Sequence, residues 1–461
     1  MDDITAGTTQ AASAQQLLAD AASRAQRYLA ALPDRAVAPT ASAVDALSRL
    51  GGPLPESTCD PAQVLARLDE LVSPATMAMA GPRFFGFVIG GSLPVTVAAN
   101  WLATAWDQNT CLHAVTPGVS HIEQLALDWL LDVLRLPAGC AGAFVTGATV
   151  ANMTALAAAR HRVLANAGWN VEADGLFGAP PVNVLVGEEV HPTVLKGLGV
   201  LGLGRNRVTR IPVDGHGRMR ADALPAIRGP TILILQAGNL NTGAFDPFDR
   251  LIPQARAAGA WVHVDGAFGL WARATRDRHA LAAGCELADS WATDGHKWLN
   301  VPYDSGIAFV RDADALRAAM AVTAEYLPTT GPRRNPGDYT PELSRRARGV
   351  DVWAALATLG REGVAQMIEG CCRHARRFAE GLAAAGFEVL NDVVLNQVLV
   401  SFGTPERTQE VIAAIQRDGT CWCGSTVWQG RAAMRISVCS WATRDEDVEK
   451  SLAAMIRAAR S

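Results

Sequence analysis

Lys297 follows a histidine in the apolar, turn-bounded stretch 293–300 (TDGHKWLN), an unusual setting for a side chain that normally sits in water. Upstream, Asp265 falls in the run 260–268 (AWVHVDGAF), which reads as a buried strand closing on a carboxylate. A desolvated lysine amine condenses with carbonyl groups, and a buried carboxylate keeps a neighbouring aromatic ring nitrogen protonated. The pair therefore suits chemistry at the Cα of an amino acid, with a heteroaromatic aldehyde cofactor as electron sink. Taken alone, Asp265 also fits a helix N-cap and Lys297 a solvated amine. The weight falls on what accompanies them.

Three further segments supply that weight. Residues 144–152 (FVTGATVAN) read as a strand running through Gly147-Ala148-Thr149 into a helix. Free N–H groups at such a helix start, with the hydroxyls of Thr146 and Thr149, make a phosphate cradle, although many strand–Gly–helix turns are purely structural. Residues 187–191 (GEEVH) put His191 just past another strand, where an imidazole either satisfies a structural hydrogen bond or stacks on an aromatic ligand. Residues 237–246 (AGNLNTGAFD) follow the strand 231–236, and Asn239 with its small neighbours suits close approach to a ligand or a plain turn.

These positions recur at strand ends. Short apolar strands (142–145, 182–186, 207–211, 231–236, 261–264) alternate with helical patterns (151–165, 192–201, 221–227, 248–258), as in βαβ units of a mainly parallel sheet with helices on both faces. Ligands bind beyond the carboxyl ends of such strands. Helical patterns at 94–106 and 123–134 precede them. Nearer the N-terminus, spacing predicts helices over 13–32, capped by Ser13, over 43–50 and over 60–72, with Pro61 in a first turn. That region has too few large apolar residues to fold alone and needs another surface, such as a second subunit. A Pro/Gly/Arg-rich stretch leads into a long helical pattern at 350–382, αβ pieces at 387–390, 399–402, 409–418 and 433–439, and a helix at 445–460. The expected division is an N-terminal helical segment 1–80, a large domain 81–325, a mobile active-site loop 326–348 and a C-terminal α+β domain 349–461.

Bulk composition narrows the function. A chain of 461 residues with 49% hydrophobic and 19% charged content reads as an ordinary globular protein of two or three domains. A net charge of -4 argues against a nucleic-acid footprint or an anionic-membrane binder. No long apolar run suggests a membrane span, and Met1-Asp2-Asp3 opens no basic, apolar leader. Nine scattered cysteines suit the reduced thiols of a cytoplasmic protein, and neither Cys371-Cys372 nor Cys421-Trp422-Cys423 has the paired spacing of a metal site.

The ordered set Gly147-Ala148-Thr149, His191, Asn239, Asp265-Gly266-Ala267 and His296-Lys297 resembles the group II amino acid decarboxylases that depend on pyridoxal 5'-phosphate (PLP). Those include aromatic L-amino acid, glutamate and diaminobutyrate decarboxylases. The resemblance runs from about residue 75 to the C-terminus and takes in Arg83-Phe84-Phe85-Gly86-Phe87, Ser344-Arg345-Arg346-Ala347-Arg348 and residues 434–440 (MRISVCS). It implies the fold type I, aspartate aminotransferase-like architecture: an α/β large domain on a mainly parallel seven-stranded sheet, with a small C-terminal α+β domain and a helical N-terminal segment. It also implies that Lys297 forms the Schiff base with PLP, that Asp265 holds the pyridinium, that Ala267 lies against one ring face and that His191 stacks on the other. Thr149, Ala148 and His296 would neighbour the phosphate, with Ala148 standing where many relatives carry a hydroxyl and Asn239 where threonine is frequent. A homodimer with the active site at its interface is implied as well.

PLP alone does not choose the reaction, because the bond that breaks at Cα is the one held perpendicular to the ring. The resemblance implies that the carboxylate is held there and that a loop tyrosine, supplied across the dimer, returns the proton. Tyr339 is the first candidate and Tyr326 the second, in a loop shorter before Arg345 than in the aromatic amino acid enzymes. The expected substrate pocket combines Phe84, Phe85, Trp106 and His113, which favours an aromatic or medium-sized L-amino acid. The expected reaction is decarboxylation of an L-amino acid to the amine and carbon dioxide. A PLP-dependent carbon–carbon lyase or aldolase, or an oxygen-using aldehyde synthase, is the alternative on the same fold.

Overall fold

The computed structural model describes residues 13–322 and 333–461, and a seven-stranded sheet is its framework. Strands β1 (Ala141–Val145), β2 (Asn183–Gly187), β3 (Thr209–Ile211), β4 (Thr231–Gln236), β5 (Trp261–Asp265), β6 (Ser290–Asp294) and β7 (Gly306–Val310) assemble in the order β1-β7-β6-β5-β4-β2-β3. The pairs β2–β3, β2–β4, β4–β5 and β5–β6 are parallel. Only β7 runs against its neighbours β1 and β6. Every residue of β5, β6 and β7 is buried, as expected for strands covered on both faces.

One face is covered by helix Ala148–Ala165, which starts directly after β1 and packs along β5, β6 and β7. The other is covered by helices Pro117–Val133 and Arg348–Ala384, the latter turning at Gly360, whose φ of 59° is open to glycine. The helix expected over 221–227 shrinks to the turn Ala221–Ala223. Leu224 precedes Pro225 and takes an extended ψ of 119°, which ends helical geometry there.

Strands β8 (Glu388–Val389), β9 (Gln397–Ser401), β10 (Gly424–Trp428) and β11 (Arg431–Ser437) form a second, antiparallel sheet in the order β10-β11-β9-β8. Helices Pro405–Asp418 and Asp445–Arg460 accompany it. At the N-terminus, helix Ala14–Ala31 is capped by Ser13 and helix Pro61–Val72 by Asp60, each through a side-chain oxygen that accepts a backbone N–H. Helix Ala14–Ala31 buries none of its residues and leaves Leu18 exposed.

Two close approaches bring the site together. A Cβ on Gly90 would lie 1.8 Å from the Lys297 carbonyl oxygen, and one on Gly306 would lie 2.4 Å from the Gly147 backbone. Only glycine lets those segments touch the lysine turn and the turn after β1. Asn300, at a φ of 56°, locks the same region. Its Oδ1 accepts N–H groups from Gly91 (2.7 Å) and Trp441 (3.0 Å), and its Nδ2 donates to the Cys439 carbonyl (3.0 Å).

Candidate active site

A cleft of about 230 Å³ opens at the carboxyl ends of β1, β2, β4, β5 and β6. Its walls include Gly147, Ala148, Thr149, His191, Asp265, Ala267, His296 and Lys297, so eight of the residues singled out in the sequence converge there. Each stands at or just beyond a strand end, where a parallel sheet presents its loops.

Lys297 and His296 lie on the short helix Gly295–Trp298. Lys297 Nζ is 3.0 Å from Asp294 Oδ2, while Asp294 Oδ1 accepts the Ala148 N–H at 2.5 Å. Ser305 N–H donates to His296 Nδ1 at 3.1 Å, which leaves the neutral ring's proton on Nε2, the atom 3.7 Å from Asp294 Oδ1. Burial lowers the His296 pKa and keeps the ring neutral. A Cβ on Gly147 would come within 3.3 Å of the His296 ring, so a small residue suits that turn.

His191 caps helix Pro192–Val200. Its Nδ1 accepts the Thr193 N–H at 3.3 Å and lies 2.7 Å from the Thr193 hydroxyl. That leaves Nε2–H as the free donor of a ring whose pKa burial lowers. Asp265 Oδ1 accepts the Ala267 N–H at 3.3 Å. Burial raises the Asp265 pKa, against which the nearby His191 and Lys297 charges favour the ionised carboxylate.

Other expected residues sit elsewhere. Asn239 is buried but turned away from the cleft walls, because its Nδ2 donates to Glu189 Oε2 (2.9 Å) and its Oδ1 accepts from Asn241 N–H (2.8 Å). It organises the turn, and its neighbours Gly238 and Leu240 line the cleft instead. Phe84 is stacked on Trp422 with centroids 5.2 Å apart, and Phe85 meets Phe378 edge-on at 5.0 Å. Both rings anchor this segment to the C-terminal layer and neither lines the cleft of its own chain. Trp106 is exposed at a helix end, and His113 Nε2 accepts from Arg333 at 2.9 Å, also outside the cleft. Tyr339 packs against the cluster of Ala143, Val145, Ala151, Ala292 and Ala308, with the Arg334 guanidinium 4.5 Å from its ring centroid. Tyr326 lies outside the described residues.

The structure adds residues that spacing did not single out. Asp294, Gln236, Thr193 and Phe268 line the cleft. Arg435, in β11, is buried beside it and donates to the carbonyl of Leu240 at 3.3 Å. Burial takes its pKa down to about 10, and its charge lowers that of His191. The only sequence signal for Arg435 is a lone cation in the apolar stretch MRISVCS.

These residues fit PLP. A lysine amine, a buried acid, an imidazole and a helix start with small side chains face one cleft of matching polarity. Ala148 N–H is already engaged by Asp294, so the phosphate would rely on the remaining groups of that turn, the Thr149 hydroxyl among them. Sheet order and site together define a fold type I PLP enzyme. Over 98% of this chain and 99% of the other, the fold matches Oryza sativa TDC, solved with PLP and tryptamine, at a TM-score of 0.90 and 22% identity.

Sequence comparison carries the assignment further. The profile described as the pyridoxal-dependent decarboxylase conserved domain matches residues 51–403. An aromatic-L-amino-acid decarboxylase of Bacillus atrophaeus is 30% identical over 334 residues, 70% of this chain and 67% of that one. An L-2,4-diaminobutyrate decarboxylase of Rhizobium meliloti (strain 1021) is 27% identical over 430 residues, 88% and 84% of the two chains. The chain belongs to the pyridoxal-dependent decarboxylase family. It is a PLP-dependent carboxy-lyase acting on an amino acid.

Proposed function

We propose that this enzyme converts an L-amino acid to the corresponding amine and carbon dioxide, with Lys297 as the residue that carries the cofactor. The observation that supports this most is the convergence of Lys297, Asp265 and His191 on one cleft. Bound PLP supplies an electron sink for the pair released when the bond from Cα to the carboxylate breaks. Asp265 would hold the proton on the ring nitrogen of bound PLP, and His191 and Ala267 would position the ring. Arg435 is a buried cation with a backbone carbonyl for a partner, which suits it to orient a substrate carboxylate. Gly147, Thr149 and His296 would hold the phosphate end, beside Ala148, whose N–H Asp294 already takes.

The proton returns to Cα from a tyrosine of the 326–348 stretch, Tyr339 first and Tyr326 second. Tyr339 packs away from its own cleft. In this reading the tyrosine is supplied to the cleft of a second copy in a homodimer. Helix Pro94–Trp106 exposes Trp101, Leu102 and Trp106, and helix Ala14–Ala31 buries nothing, which supports such a partner. Phe84, Phe85, Trp106 and His113 then shape the substrate side as parts of that shared site. All nine cysteines are free thiols, in keeping with a reducing, cytoplasmic setting.

Aromatic L-amino acids are the first substrates to test and L-2,4-diaminobutyrate the second, after the relatives named above. The test is a panel of L-amino acids with the PLP-loaded protein, assaying carbon dioxide, amine, aldehyde and hydrogen peroxide together. Amine equal to carbon dioxide is expected. Aldehyde with peroxide in place of amine would move the chain to the aldehyde-forming alternative. No carbon dioxide from any substrate would overturn the proposal.

A further inference from the structure

Behind Asp265 runs a line of buried polar side chains that the reaction described above does not use. Trp261, His263 and Asp265 alternate on one face of β5, the face that packs on helix Ala148–Ala165. Trp261 Nε1 donates to Ser290 Oγ at 2.9 Å, and the same oxygen lies 2.9 Å from His263 Nδ1. His263 Nε2 lies 2.8 Å from Asn152 Oδ1. His263, Ser290 and Asn152 are fully buried. Asn152 Nδ2 is buried with no hydrogen-bond partner among the described residues, and the Asn152 amide stands beside Asp265, favouring its ionised form.

The two ends of this line fix every role between them. An indole N–H only donates and a carboxylate only accepts. An amide beside a carboxylate presents its NH2 group to it, which leaves Asn152 Oδ1 to accept. His263 Nε2 must then carry the ring proton, and His263 Nδ1 must accept the Ser290 hydroxyl proton. The Ser290 oxygen in turn accepts from Trp261. Burial takes the His263 pKa down to about 3, so the ring stays neutral in that one tautomer.

We propose that Trp261, Ser290, His263 and Asn152 form a one-way donor chain that keeps the Asp265 carboxylate ionised in its buried position. Asn152 Nδ2, the donor of the line left without a hydrogen bond, is the group that would close on Asp265, and the four are positioning residues for the ring nitrogen of PLP. Without them, Asp265 would take the proton itself, and its hold on that nitrogen would weaken from an ion pair to a neutral hydrogen bond.

The test compares the affinity of the cofactor-freed full-length chain for PLP and for 1-deaza-PLP, in which carbon replaces the ring nitrogen. Wild type is expected to prefer PLP; failure of wild type to bind PLP at all would indict the cofactor assignment rather than the chain. Asn152→Leu and His263→Leu are expected to lose PLP affinity by roughly tenfold or more, the scale of one hydrogen bond to a charged group, with little change for the deaza analogue. His263→Gln keeps an N–H near the Nε2 position and should recover most of the preference. Ser290→Ala is small enough to fold in any case and should lose part of it. An unchanged preference for PLP in Ser290→Ala, or equal losses for both cofactors in the leucine variants, would overturn the proposal.

Discussion

Lys297 Nζ sits 3.0 Å from Asp294 Oδ2, and the other oxygen of that carboxylate takes the Ala148 N–H at 2.5 Å. One buried carboxylate thus ties the lysine to the turn after β1, across two strand ends. Removing it leaves an amine and a buried N–H without partners. Asp294→Ala is expected to cost the cofactor-free chain about 2 kcal/mol, read by urea unfolding. Asp294→Asn retains an acceptor for Ala148 and should cost less. Full stability in both variants would show that the tie contributes nothing.

Arg435 offers a prediction about substrate rather than cofactor. Arg435→Gln should raise KM for the amino acid roughly tenfold or more, since a charged hydrogen bond to the substrate is lost. PLP affinity should stay close to wild type, because the groups proposed to hold PLP are Lys297, Asp265, His191 and Thr149, with Arg435 beside the cleft at the Leu240 carbonyl. Cofactor titration and steady-state kinetics on the same preparation separate the two. A kcat loss with unchanged KM would place Arg435 in another role.

Tyr339→Phe tests the source of the proton. Loss of amine with a rise in aldehyde is expected, measured by quantifying both products under air. Normal amine output in Tyr339→Phe with a dead Tyr326→Phe would transfer the role to Tyr326.

Asp351 gives a stability signature that depends on pH. It is buried, Asn100 Nδ2 donates to its Oδ2 at 2.7 Å, and burial pushes its pKa up to about 6. An acid whose folded pKa is raised binds its proton more tightly in the folded state. Its ionisation therefore costs stability as pH rises from about 4, the unfolded value, through about 6. Asparagine cannot ionise, and its carbonyl still accepts from Asn100. Asp351→Asn should be more stable than wild type above about pH 6, by about 1 to 2 kcal/mol, and equal to it below about pH 4. Thermal unfolding at three pH values checks this, and a gain that persists at low pH would contradict it.

The legible part of the molecule was the part in which chemistry follows directly on an apolar strand. Gly147, His191 and Asp265 each sit at such a junction, Lys297 stood out by its apolar, turn-bounded setting, and all four line the cleft. Strands β6 (SWATD) and β7 (GIAFV) gave no clear period, because central strands buried on both faces do not alternate. Asp294 was hidden for the same reason, as the last residue of an unrecognised strand. Arg435 reaches the site from a second sheet more than a hundred residues away in sequence, a relationship that no local spacing carries. Phe84 and Phe85 are a different case. Their aromatic type suggested a ligand wall, while in this chain their rings are spent on Trp422 and Phe378.

The central claim is that Lys297 carries the chemistry of amino acid decarboxylation. Carbon dioxide release from a carboxyl-labelled substrate of the wild-type enzyme, measured for wild type and Lys297→Ala under PLP saturation, tests it most directly. The expected result is turnover by wild type and none above background by Lys297→Ala, with the visible absorbance of the lysine-bound cofactor lost in the variant. Carbon dioxide released by Lys297→Ala at the wild-type rate would contradict the account.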